Sequence, residues 1–325
     1  MCFTNCSTIG RAVRPWWGLM SLVMVFLSIG AASLPAADLL LVTDGADNKV
    51  YSVDPVSGAK TELLSGLNGP TGISANSAGN VFISIAGDQQ VRKYTDPTLT
   101  SSSVLISLTT NDLSGNATNS LGQIAVGNSG NIVQKYSTTT GSAEGSAITI
   151  SAFPPPERLF TSFDTADNLY VAYRGAPEGG VRKYDSSGSE ISSFATNVGT
   201  QFDIGGVYAT ADSVYFTAYD KIKKTDLNGN LVNAFGTNGI VTVSGGIATY
   251  APVIIGNTLF LITGATGIQT FDATTGALIN ANFTSGFNQA FFMTKVVVPE
   301  PSTYALAAIG AAVLGLLGRR RKRQA

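Results

Sequence analysis

A repeat of about 40–50 residues constrains this chain more than any other feature. Turns centred on aspartate or serine recur at Asp54, Asp96, Ser137, Asp185, Asp226 and Asp272, at steps of 42, 41, 48, 41 and 46 residues. Each follows a short strand-like run ending in an aromatic or basic residue, as in Arg92-Lys93-Tyr94 and Arg182-Lys183-Tyr184. An aspartate side chain accepts hydrogen bonds from backbone N–H groups two residues on, and a nearby glycine takes up positive φ. Asp54-Pro55-Val56-Ser57-Gly58 and Asp226-Leu227-Asn228-Gly229 contain both parts. These aspartates are therefore read as structural. Between the turns the chain is rich in Gly, Ser, Thr, Asn and β-branched residues and lacks long helical periodicity, so the body reads as all-β.

Each unit resolves into successive short strands. Second strands are expected at 39–43, 80–85, 131–135, 168–173, 213–218 and 257–263. Innermost strands are expected at 71–75, 121–126, 158–164, 203–208, 250–255 and 289–297. The first unit has no inner strand before it, and the last inner strand has no outer strands after it. Pairing the two would close a ring without an open sheet edge. The expected fold is an all-β, six-bladed β-propeller. Five and seven blades are the alternatives, because the third unit is short and holds Pro154-Pro155-Pro156.

The ends read differently. Arg11 and Arg14 precede an apolar run from Trp16 to Ile29, and small residues at Ala31, Ala32, Ala36 and Ala37 follow, before Asp38. Positive start, short apolar core and small-residue exit make a secretory signal peptide. At the other end stand Pro299, Glu300 and Pro301, then an apolar stretch over 304–318, then Arg319, Arg320, Arg321, Lys322 and Arg323. The two prolines keep the chain extended and accessible. Fifteen residues of helix span roughly 22 Å, short of the ~30 Å hydrocarbon core. The basic cluster stays on the cytoplasmic side, which puts the body outside. The expected segments are a signal peptide (1–37), the propeller (38–297) and a sorting signal with a short transmembrane helix (298–325).

The order of Pro-Glu-Pro, apolar span and basic stop resembles the PEP-CTERM signal of Gram-negative, often biofilm-forming, bacteria. The resemblance covers about the last 28 residues. It implies that Pro299, Glu300 and Pro301 are read by a membrane-embedded exosortase, that 319–323 is the stop, and that the tail is removed. The implied partners are that enzyme and signal peptidase, with an extracellular polysaccharide or surface protein as partner of the body. The run Gly69-Pro70-Thr71-Gly72-Ile73 with Gly79-Asn80-Val81-Phe82-Ile83, and Arg182-Lys183-Tyr184-Asp185 with Ser187-Gly188, resemble NHL-repeat and gluconolactonase-like propellers.

Composition excludes several functions. The chain has no histidine, and its two cysteines, Cys2 and Cys6, lie in the leader. Serine–histidine triads, histidine–zinc sites, disulfides and thiolate chemistry are excluded from the mature body. Residues 38–298 carry a net charge near −7, which argues against nucleic acid and anionic membrane as partners. In a propeller, ligands meet loops at a mouth of the central channel; Asp44, Asn68, Asp164, Asp203 and Asn288 are the candidates there. The gluconolactonase-like resemblance implies that such oxygens hold one divalent cation, Ca²⁺. No acidic pair has a recognisable ligand spacing, so turn and loop roles are the default for them. Arg158 and Glu157 read as a surface ion pair or loop contact. The expectation is a non-enzymatic binding or scaffold propeller with no cofactor; the alternative is a secreted, Ca-dependent lactonase-like hydrolase.

Overall fold

The recurring turns set the strand boundaries. In the computed structural model, Asp54 Oδ1 accepts from the N–H groups of Val56 and Ser57 at 2.9 and 2.7 Å. Asp226 does the same for Asn228 and Asn230, both at 2.9 Å. Ser137, in the aspartate's place, serves Thr139 and Thr140 through its Oγ at 3.2 and 3.3 Å, so the divergent unit keeps its turn. The structure describes residues 37–109, 113–128, 131–150, 158–174, 179–191, 194 and 204–298. The signal peptide, the Pro-Glu-Pro motif, the apolar span and the basic stop lie outside the described residues.

Among the described residues, twenty-three strands form six antiparallel sheets. Blade 1 starts with β1 (Ala37–Asp44), β2 (Lys49–Val53) and β3 (Lys60–Leu64). Blade 2 is β4 (Pro70–Ala75), β5 (Val81–Ile85), β6 (Gln90–Tyr94) and β7 (Ser102–Ser107). Blade 3 is β8 (Leu113–Thr118), β9 (Gln123–Asn128), β10 (Ile132–Ser137) and β11 (Ala143–Thr149). Blade 4 has β12 (Arg158–Phe163), β13 (Leu169–Arg174) and β14 (Gly180–Tyr184) among the described residues. Blade 5 is β15 (Ile204–Ala209), β16 (Ser213–Ala218), β17 (Lys221–Asp226) and β18 (Ile240–Thr242). Blade 6 is β19 (Thr249–Ile255), β20 (Thr258–Thr263), β21 (Gly267–Asp272) and β22 (Leu278–Ser285). The last strand, β23 (Ala290–Val298), returns to blade 1 and pairs antiparallel with β1, Ala37 opposite Val298. The inner strands β23, β4, β8, β12, β15 and β19 contact one another in a closed ring. The fold is a six-bladed propeller whose first and last strands share a blade.

Second strands are squeezed between neighbouring blades and buried on both faces. All five residues of β5, Val-Phe-Ile-Ser-Ile, are buried, so such strands read as continuous apolar runs rather than alternations. Each fully buried Val, Leu, Ile or Phe contributes roughly 1.5–3 kcal/mol.

A lysine latch ties blade to blade. Lys93 Nζ donates to Thr138 O at 3.0 Å, Lys135 to Ser186 O at 2.6 Å, Lys183 to Leu227 O and Lys224 to Ala273 O, both at 3.0 Å. Each lysine sits on the third strand of one blade and caps a carbonyl in the recurring turn of the next. In three of them the ammonium also lies over its cross-strand aromatic: Phe82, Tyr170 and Tyr215, at 5.9, 5.3 and 5.0 Å. Turn glycines allow the close fit. A Cβ on Gly141 would meet Leu105 O at 1.9 Å, and one on Gly58 would meet Phe283 O at 2.2 Å.

The third unit corrects the strand reading. The segment expected as its inner strand, 121–126, is a turn followed by the second strand β9; the segment expected as second, 131–135, belongs to the third strand β10. The true inner strand is β8, Leu-Ser-Gly-Asn-Ala-Thr. Its small residues are required by contact: a Cβ on Gly115 would meet Leu159 O at 2.7 Å.

Candidate functional site

All six inner strands run in the same direction, so the channel has a front mouth at their starts and a rear mouth at their ends. The sequence candidates divide between the two. Asp44 ends β1 at the front, fully buried. Its Oδ2 accepts from Asn288 N at 2.7 Å, and its Oδ1 from Gln289 N at 3.0 Å and Asp47 N at 3.2 Å. Asn288 in turn donates through its side-chain amide to the Asp47 carboxylate. The pair is a clasp that sets the start of β23 against the end of β1. Asn68, also at the front, donates to Asp88 Oδ1 at 3.1 Å, and Asp88 pairs with Arg92 at 3.1 Å. Asp164 stands at the rear end of β12. Its Oδ1 accepts from Ala166 N and Asn168 N, and its Oδ2 from the Asn168 amide, all at 2.9 Å. It also takes the Tyr170 hydroxyl at 3.2 Å; burial, and then the Asp164 charge, push that phenol well above its ordinary pKa. Asp203 lies outside the described residues. Thus Asp44 and Asn288 meet, while Asn68 is engaged elsewhere and Asp164 is at the other mouth. Among the described residues, no group of three or more Asp or Glu side chains comes together in a way that could hold a metal ion.

Sequence reading missed the front-mouth stack. Arg158, the first residue of β12, lies over the Phe291 ring at 4.0 Å, and Phe291 meets Tyr250 edge-to-face at 4.8 Å. Arg158 therefore faces a cavity of about 150 Å³ between Thr43, Pro70 and Gln289, rather than the outer surface. The sequence signal for it was its position at the start of an inner strand.

The rear mouth holds a larger cavity, about 290 Å³, lined by residues of all six inner strands. Phe160 and Phe292, stacked at 5.0 Å with planes 29° apart, form part of its wall. Lys295 is the one charged side chain among its described lining residues. Three lining residues on consecutive inner strands have buried polar atoms without a hydrogen-bond partner: Ser74 Oγ on β4, Asn116 Oδ1 on β8 and Thr161 Oγ1 on β12. Asn116 is held in place by its Nδ2, which donates to Ser84 Oγ at 2.8 Å. Buried polar groups left unpaired cost about 1–3 kcal/mol each.

Comparison with known proteins agrees with the fold and identifies the tail. A chain of the nidogen/laminin complex superposes with a TM-score of 0.63 at 11% identity, covering 80% of this chain and 98% of that one. Virginiamycin B lyase from Staphylococcus aureus superposes with a TM-score of 0.54 at 13% identity, covering 74% and 80%. A protein of unknown function from Bacteroides caccae gives 0.54 at 14%, covering 80% and 99%. At these identities the likeness shows the fold alone: a six-bladed propeller resembling the NHL and lactonase-like kind, and one that enzymes also use. No curated protein sequence matches the chain significantly. Residues 297–322 match the PEP-CTERM protein-sorting motif. The chain carries a PEP-CTERM signal, which implies export, membrane-anchored sorting and processing by an exosortase.

Proposed function

We propose that this protein is displayed at the cell surface or released from it after removal of its PEP-CTERM tail, and that its propeller is a binding or scaffold module. The observation that carries the reading is the sorting motif at 297–322, which begins within the strand that closes the ring, β23. Support for a binding rather than a hydrolytic role comes from the front mouth. The oxygens of Asp44 are engaged by the backbone of residues 47, 288 and 289. Asn68 and Asn288 each donate to a neighbouring carboxylate. Their geometry is that of strand and loop clasps.

The test is the intact mass of the mature protein. Loss of 319–323 is expected, and the double substitution Pro299→Ala, Pro301→Ala should leave the chain membrane-bound at full tail length. Mature protein that still carries 319–323 would overturn the sorting part of the proposal. Turnover of lactone substrates that depends on Ca²⁺ would overturn the non-catalytic part.

A further inference from the structure

Val297 and Val298 belong to two functions at once. They are the last residues of β23, where Val297 stands opposite Asp38 and Val298 opposite Ala37. They are also the first residues of the PEP-CTERM match at 297–322, and Pro299 follows them directly in the chain. The ladder is thinnest at this end. Strand β2 begins its pairing with β1 at Leu40, so among the described residues 37–39 pair with β23 alone. Val296 is 1% exposed and belongs to the core, whereas Val297 is 49% exposed. A two-stranded overhang with little apolar surface to bury is marginal in water, and strand ends open at far lower cost than the core. The rungs from Leu39 and Val296 inward therefore hold the ring, and the two outer rungs can open without opening it.

We propose that these two rungs are a release clip: strand β1 and the sorting enzyme compete for Val297 and Val298, and the tail is processed from the state in which both rungs are open. This rests on the sorting reading above and adds its regulation. An enzyme that reads an extended segment holds it through main-chain hydrogen bonds and side-chain pockets, as a sheet edge does. The same backbone cannot serve two ladders on one edge. Pro299 fixes its own φ and favours an extended conformation at Val298, so the junction supplies no turn of slack between ladder and motif. Opening the two rungs supplies about 7 Å of free chain, while Val296 keeps its place in the core. Processing then senses the pairing of β1 with β23 at its outer end, not unfolding of the ring.

The experiment follows tail loss from the full chain by intact mass, in membranes of cells that carry an exosortase. Inserting Gly-Ser-Gly-Ser-Val-Val after Val298 leaves both rungs in place and gives the motif a second Val-Val outside the ladder. That chain should lose its tail about three- to tenfold faster than wild type, the equivalent of one or two net ladder hydrogen bonds. Asp38→Cys combined with Val297→Cys should act in the opposite sense. Residues 38–298 hold no cysteine, the two positions are directly opposed, and Cβ atoms of such a pair come close enough for a disulfide. The oxidised chain should keep its tail. With reductant it should be processed like Val297→Cys alone, which separates the lock from the loss of the valine. Equal rates for wild type and the insertion variant, or tail loss from the oxidised chain, would overturn the proposal. Failure of the cysteine pair to oxidise would also overturn it, by showing that the rung is not made. Tails kept by wild type, the insertion variant and Val297→Cys alike would overturn the sorting reading itself, and the clip with it.

Discussion

The arc from blade 2 to blade 6 and the junctions around blade 1 are held by different chemistry. In the arc, every junction has the same part: a lysine on one blade capping a turn carbonyl on the next. At blade 1 the lysine position is Ser52, opposite Leu41, and in blade 6 it is Thr270, opposite Phe260. The junction from blade 6 to blade 1 is made instead by Thr284 Oγ1, which donates to Gly58 O at 2.7 Å. Lys60, reaching back, lies over the rings of Tyr51 and Phe287 at 4.6 and 4.5 Å. From blade 1 to blade 2 the links are Thr43 Oγ1 to Thr71 O at 2.6 Å and Gly69 N to Asn48 Oδ1 at 3.0 Å. The arc is thus stabilised by a repeated local device. Closure rests on one long-range strand pair, β1 with β23, and on the Asp44 clasp at its end. A contact of this sequence separation forms late, because the loop entropy must be met before the contact rewards it. The ring cannot close until the chain up to Val298 has been synthesised.

The sharpest way to break the comparison is to remove the closing strand. Deleting 290–298 should abolish cooperative unfolding of the entire body, seen by calorimetry, because it opens the ring and uncovers blade 1. An effect confined to blade 1 would show that the latched arc stands without closure. Breaking a latch should cost less. Lys135 is 5% exposed, and Lys135→Met keeps the apolar stem but leaves the Ser186 carbonyl without its donor. A loss of about 1–3 kcal/mol is expected, read from the urea midpoint at constant slope.

Much of this was legible because the repeat carries its own chemistry. The turns at Asp54, Asp185 and Asp226, the runs Arg92-Lys93-Tyr94 and Arg182-Lys183-Tyr184, and the orphan strands at both ends led to six blades and their closure. The role of the lysines was not legible, since their acceptors lie 44–51 residues away and carbonyls have no sequence signature. Strand β8 was misplaced because Ser114, Gly115 and Asn116 look like a loop; only the nearness of Leu159 explains why small residues stand there. Outer strands such as β22, exposed along most of its length, have little apolar pattern to read. Of the site, the sequence supplied Asp44 and Asn288 but not their partnership. The rear cavity escaped notice because its walls are ordinary strand residues, such as Phe160 and Phe292, brought together by the ring.

Acid sharpens the comparison in another way. Asp54 is held below its ordinary pKa chiefly by the Ser57 N–H, Asp185 by the Ser187 hydroxyl, Asp226 by the Asn230 amide and Asp272 by the Thr275 N–H. A depressed carboxylate contributes stability that is complete above its unfolded value, 3.8, and is lost as pH falls through the lower folded values. Urea midpoints should therefore be insensitive to these groups between pH 7 and about 4 and fall below that. Asp226→Ala should flatten the acid limb, while Ser137→Asp should steepen it. An acid limb unchanged by either substitution would contradict the turn assignment. The smallest effect is expected from adding the missing part: Ser52→Lys should raise stability by less than about 1 kcal/mol, and a clear loss would show that the junction from blade 1 to blade 2 has no acceptor placed for a latch.

Native-state hydrogen exchange tests the closed ring most directly. If β23 locks one cooperative unit, amides of residues 40–43 and 292–296 should exchange with the same opening free energy as those of β5 and β16 in the arc. Exchange of the β1–β23 pair by local opening, with the arc still protected, would contradict it.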